Sequence, residues 1–178
     1  TAFPVGTVLH DYTGHNLTDI TVNGSPGPGL GENLMSGTIR VNGNSSSAAG
    51  ATAHGGLIIV SGDVSSRAAI SFKGGTLAVA GDCGHMSAFM AQAGTLLIGG
   101  DAGESLGDSL YEAVVYVGGK VRSLGADART EDLTEADVAK VRELVEKSGF
   151  DHINPENVTK VASAKQLYNF DALKNQRY

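Results

Sequence analysis

Apolar residues recur along this chain with two nested periods. Inside short blocks they alternate with polar or variable positions, and the blocks return every 19 residues. The clearest block runs Gly37-Thr38-Ile39-Arg40-Val41-Asn42-Gly43-Asn44. It recurs at Gly56 to Asp63, Gly75 to Asp82 and Gly94 to Asp101, with a looser copy at Ala113 to Lys120 and an earlier one at Thr18 to Ser25. The alternation is the period of a β-strand. Its third position reads Ile20, Ile39, Ile58, Leu77, Leu96, Val115, and its fifth reads Val22, Val41, Val60, Val79, Ile98, Val117. These residues are expected to point inward. A unit this short cannot bury its own apolar face, so successive units must stack, one strand spacing of about 4.8 Å apart. Six such coils make a rod on the order of 29 Å long.

The rest of the period fits a closed coil. Six residues before each block the residue is small: Gly31, Gly50, Ala69, Ala88, Gly107. A tight corner or a close coil contact explains this. Three residues further on, Leu34, Ala53, Phe72, Ala91 and Leu110 alternate large and small, as interdigitating layers require. The turn glycines Gly43, Gly62, Gly81, Gly100 and Gly119 are expected to supply positive φ. From about Gly125 the pattern changes. Thr134 and Asp137 read as a helix N-cap with its capping-box partner, and Leu133 with Val138 as a staple. Val138, Val141, Leu144 and Val145 form an apolar stripe, and Gly149 reads as the stop. The expected fold is all-β: a right-handed parallel β-helix of about six 19-residue coils, one α-helix, then an extended C-terminal tail. The β-helix occupies 1–128, and the helix with a polar docking tail occupies 129–178.

Composition supports a solenoid. The chain has 25 glycines and no tryptophan, so its core must be built from small aliphatic side chains. Hydrophobic residues at 41% argue against disorder, and no collagen-like period is present. The net charge of −6 leaves no basic face, which makes nucleic acid and anionic membranes poor partners. No apolar stretch approaches the roughly 20 residues of a bilayer span. With no signal-peptide pattern and a single cysteine, a cytoplasmic location is expected. The chain starts at Thr1, so N-terminal sequence is expected to be missing.

Candidate chemistry is sparse. No histidine stands in a metal-ligand spacing, and His54 falls in an outward column, where a solvated or interface role is the plain reading. Cys83 aligns between Val64 and Ala102 as a small buried filler. Asn44, Asp63, Asp82 and Asp101 form a column that reads either as a cation ladder or as turn residues bonding backbone amides. The nine-residue calcium-binding repeat is absent, which favours the second reading. No catalytic, cofactor-binding or metal-binding residue is assigned. The outer strand face is the informative feature. Its early coils are polar, while later coils carry Leu57, Ile59, Leu97, Val114 and Tyr116. Such a flank is a candidate interface, covered by the chain's own helix or by a partner. The tail aromatics Tyr168 and Phe170 join it as candidates.

The coils resemble the GxGxG β-helix domain at the C-terminal end of the glutamate synthase large subunit. They are still more similar to its stand-alone relatives, the β-helix subunits of N-methylglutamate synthase (methylamine–glutamate N-methyltransferase). The resemblance rests on Gly31 to Gly37, Gly50 to Gly56, the Gly84-His85-Met86-Ser87-Ala88-Phe89-Met90-Ala91-Gln92-Ala93-Gly94 run, Gly100 to Ser109, Ser123 to Asp127, and the tail Ala162 to Phe170. It implies a non-catalytic assembly subunit within a hetero-oligomer. One partner is then a class II glutamine-amidotransferase-like subunit and another a synthase-like subunit carrying FMN and an iron–sulfur cluster; this chain holds no cofactor. The implied reaction converts methylamine and L-glutamate to N-methyl-L-glutamate and ammonia. A lone β-helix enzyme needs long loops to build a cleft, and constant 19-residue coils leave none. The β-helical subunit of formylmethanofuran dehydrogenase is an alternative that the tail argues against. Hexapeptide acyltransferases fail on period.

Overall fold

The computed structural model of the chain describes residues 19–166. Thr18, Tyr168 and Phe170 lie outside the described residues. Six parallel strands stack in sequence order: β1 (Ile20–Asn23), β2 (Thr38–Asn42), β3 (Leu57–Val60), β4 (Lys73–Val79), β5 (Ala93–Ile98) and β6 (Val114–Val117). Their register repeats the sequence period, with Ile20 beside Ile39, Ile39 beside Ile58, Ile58 beside Leu77, Leu77 beside Leu96 and Leu96 beside Val115. The chain therefore makes a parallel β-solenoid, as the repeat predicts, with five full turns between its six stacked strands where about six coils were expected. A second ladder of isolated bridges joins Ser45, Val64, Cys83, Ala102 and Val121. The expected inward columns fill one continuous interior, with Phe72 and the small residues Ala53, Ala69, Ala88 and Ala91 among them.

Each coil closes through two overlapping four-residue turns, bonded from Ala51 N to Ala48 O and from Ala53 N to Gly50 O, and repeated one coil on. The third residue of such a turn needs positive φ. Two columns supply it, at Gly31/Gly50/Ala69/Ala88/Gly107 and Asn33/Thr52/Ser71/Met90/Ser109, and a third, at Gly29/Ala48/Arg67/Met86/Ser105, is left-handed at the residue that opens the first turn. Their φ values lie between +51° and +77°. Most of these residues are not glycine, and a left-handed non-glycine residue costs roughly 1–2 kcal/mol. Bonds between coils hold them in place. The Thr52 amide donates upward to Ile70 O at 2.9 Å, and the Gly50 amide downward to Leu30 O at 2.7 Å. The middle column is small because its Cβ points into the core. A Cβ on Gly31 would meet Ile58 Cδ1 at 2.5 Å.

Beyond β6 the expected helix is present, and two strands that the sequence reading did not place flank it. β7 (Ala128–Glu131) is followed by α1 (Glu135–Ser148) and β8 (Thr159–Ser163), and the sheet order ends β6-β8-β7. β8 is antiparallel to both neighbours. It pairs with β6, so that edge of the stack is closed by the chain itself. The segment read as a docking tail is thus part of the fold up to Gln166. The boundary drawn at residue 128 falls at the start of a strand that joins the same sheet.

α1 begins and ends as its caps dictate. Thr134 and Asp137 form a complete capping box, and Gly149 sits at φ 80°. Fourteen residues give a helix of about 21 Å. The four strand spacings from β2 to β6 give about 19 Å. The match is realised in contacts. Tyr116 on β6 bonds Asp137 near the helix start, and Arg40 on β2 bonds the Ser148 and Lys147 carbonyls at its end. The helix therefore lies along the stack, on the outer face of the sheet.

Candidate functional site

Two surfaces gather the residues that the sequence singled out. The first is the apolar flank. Ile59, Ala78, Leu97 and Tyr116 are buried in a second hydrophobic cluster with Val141, Leu144, Phe150, Ile153 and Val158. Leu57 and Val114 pack at its margin, half-buried. Of the two coverings expected for this flank, the structure shows the chain's own helix. Ile59, Leu97 and Tyr116 do not reach solvent, so they are internal contacts rather than an exposed patch.

A polar cluster fastens that covering. The Tyr116 hydroxyl donates to Asp137 Oδ1 at 2.6 Å, and Lys160 Nζ donates to Asp137 Oδ2 at 3.0 Å. The Thr134 amide and hydroxyl donate to the same carboxylate at 2.9 and 2.7 Å. Burial alone raises the Asp137 carboxyl, but donors from Thr134, Tyr116 and Lys160 outweigh it and hold it well below the usual carboxylate range. Burial and the adjoining Asp137 carboxylate push the Tyr116 phenol up. Burial lowers Lys160, yet Asp137 and Glu131 overcome it and raise it. The cluster is a charge-satisfied clasp between β6, α1 and β8. Sequence reasoning found Thr134, Asp137 and Tyr116 but not their union, and it missed Lys160 and Arg40. The partners of Arg40 lie more than 100 residues away in the chain.

The second surface is the column of Asn44, Asp63, Asp82 and Asp101. Each side-chain Oδ1 accepts the backbone amide one coil above: Asp63 N at 2.9 Å, Asp82 N at 2.8 Å, Asp101 N at 2.6 Å and Lys120 N at 2.8 Å. The amide-bonding reading is the one observed, across coils rather than within one turn. It also corrects the role given to the turn glycines. Gly43 has φ 153°, but Gly62, Gly81, Gly100 and Gly119 are outside the left-handed region. They are glycine because a Cβ would sit 2.0 to 2.4 Å from the ladder oxygen below. Beside the ladder runs a groove of about 380 Å³, lined by Asp63, Asp82, Asp101, His85, Glu104 and Arg122. Cys83 lies beneath it, its thiol pushed up by burial and then by the Asp82 and Asp63 charges, so it stays protonated. Among the described residues no group of three or more His, Cys, Asp or Glu is placed to hold a metal ion. Also among them, no helix is long and apolar enough to cross a membrane.

No protein-family model matches the chain. A curated relative does: the chain is 63% identical over 152 residues to Protein GlxC of Rhizobium meliloti (strain 1021). That match covers 85% of this chain and 67% of the relative. The chain belongs to the GlxC family.

Proposed function

We propose that this GlxC-family chain is a non-catalytic assembly subunit of a glutamate-synthase-like enzyme complex, of the N-methylglutamate synthase kind. The observation that carries the reading is the 19-residue register that the strand blocks keep from β1 to β6, interrupted where Lys73 pairs with Ala93 at the start of β4 and β5. Coils of one length present smooth corners and shallow grooves, the geometry of a surface that holds other chains together. The motif runs from Gly31 to Ser109 that resemble the glutamate-synthase β-helix domain lie on those coils. In this reading the amidotransferase-like and FMN/iron–sulfur subunits bind outside the solenoid and carry the chemistry. The complex takes methylamine and L-glutamate to N-methyl-L-glutamate and ammonia.

Expression of the chain alone, and together with the products of its genomic neighbours, tests this. The chain alone is expected to be colourless and inert, and the co-expressed sample to give a yellow-brown assembly of higher mass. Methylamine-dependent turnover by the isolated chain overturns the assignment.

A further inference from the structure

The two faces of the solenoid differ in charge. Between Ser45 and Gly100 the only carboxylates are Asp63 and Asp82, and both belong to the ladder. The opposite corner of these coils, where the paired turns lie, therefore holds no acid in a chain of net charge −6; the nearest acids in the column of Ile70 and Phe89 are Asp108, one coil above Phe89, and Glu32, two coils below Ile70. It does hold two exposed cations on one coil, Arg67 and Lys73, and neither has an ion-pair or hydrogen-bond partner among the described residues. Between them stands Ile70, half-buried, with half-buried Phe89 one coil above. Met90 beside Phe89 is 36% exposed, and among the described residues the other large apolar side chain as open is Met35 at 49%.

We propose that this corner, centred on Ile70, Phe89 and Met90 and bracketed by Arg67 and Lys73, docks an acidic segment of a partner subunit that carries an aromatic or aliphatic anchor. The inference rests on the assembly role argued above. The corner's backbone cannot take an added strand, because the turn amides are already consumed between coils; Arg67 N, Ser71 N and Met90 N bond carbonyls of the coil above. Recognition must therefore use side chains, apolar contact for energy and charge for steering and register. The chain's own C-terminal stretch fits poorly by charge. Leu167 to Tyr178 contains Lys174 and Arg177 against Asp171. A second copy presents the same cations and is repelled.

The test uses the complex assembled by co-expression with the neighbouring gene products. Peroxide oxidation of Met35, Met86 and Met90 is read by mass spectrometry in the free chain and in the complex. Affinity is read for Arg67→Glu/Lys73→Glu, for Phe89→Ser and for a control of equal charge change, Lys120→Glu/Arg122→Glu. The expected result is slowed oxidation of Met90 only in the complex, about tenfold or greater weakening by the Arg67/Lys73 reversal, and less than about twofold change in the control. A complex that forms at wild-type affinity with the reversal in place, and with Met90 still reactive, overturns this inference while leaving the assembly role intact. Failure of any complex to form overturns both. Protection of Met90 in the isolated chain, whether lost on truncation after Gln166 or dependent on concentration, assigns the corner to the chain's own end or to a second copy and overturns it as well.

Discussion

Glycine serves two separate purposes in this chain, and single substitutions separate them. Gly75 sits at φ 84°, and a Cβ there would lie 2.6 to 2.7 Å from the Gly55 and Gly56 backbone. Neither obstacle can move aside, so Gly75→Ala is expected to cost about 3 kcal/mol or more. Gly81→Ala meets chiefly the Asp63 carboxylate, which can swing away at the loss of one ladder bond, about 1 kcal/mol, and the Gly62 carbonyl at 3.1 Å needs to give by only a few tenths of an ångström. Met90 is the reverse case, a side chain held at φ 53° on the surface. Met90→Gly relieves that strain and adds unfolded-state entropy, for a net change within about 1 kcal/mol of zero. Urea midpoints should rank the variants in that order. The sequence alone does not separate the first two, because close approach and positive φ both select glycine. Nor does it mark the left-handed columns at Ala48, Arg67 or Ser71, whose residue types do not favour positive φ. The repetition of coils creates that demand, and coil-to-coil bonds satisfy it.

At the scale of elements, legibility follows the source of each element's order. β1 to β6 are readable because stacking repeats one environment and so one residue type. α1 is readable from its own caps. β7 and β8 are not, since each has only four or five residues and they pair outside the 19-residue period. Val158, Val161 and the β-branched Thr159 are the available signal. The cover that these elements form is testable. Leu97→Asp places an unpaired charge under α1, where Leu97 is fully buried, and should cost about 4 kcal/mol or more. Fast amide exchange throughout α1 reports the loss, and an unchanged helix refutes the account of this flank. The Asp137 clasp adds a pH dependence. Its folded carboxyl is depressed, so its stabilisation is complete above its unfolded value, near pH 4, and fades as pH falls toward the folded value. Lys160, raised in the fold, contributes below its ordinary value near 10.4 and loses that contribution as pH climbs past it. Between roughly pH 5 and 2, Asp137→Asn should flatten the decline in urea midpoint seen for the parent chain.

For the whole molecule, a solenoid whose coils touch only their neighbours tolerates a change in coil number. Removal of residues 57–75 takes out one full period and leaves the block pattern continuous. The shortened chain should keep its β-sheet signal. Its melting temperature should fall, because α1 now overshoots β2 and Arg40 no longer meets the Ser148 carbonyl. Restoration of that bond in the shortened chain, seen as equal sensitivity of both forms to Arg40→Ala, contradicts the length match. A coil advances the stack by about 4.8 Å, which a helix covers in about 3.2 residues, close to the 3.6 of one turn. The helix thus acts as a gauge. An insertion or deletion of one repeat is compensated by gain or loss of a single helical turn, with the buried stripe still facing the sheet. Lengthened or shortened descendants of this architecture are accordingly expected to vary in paired steps, nineteen residues in the coils and three or four in the helix.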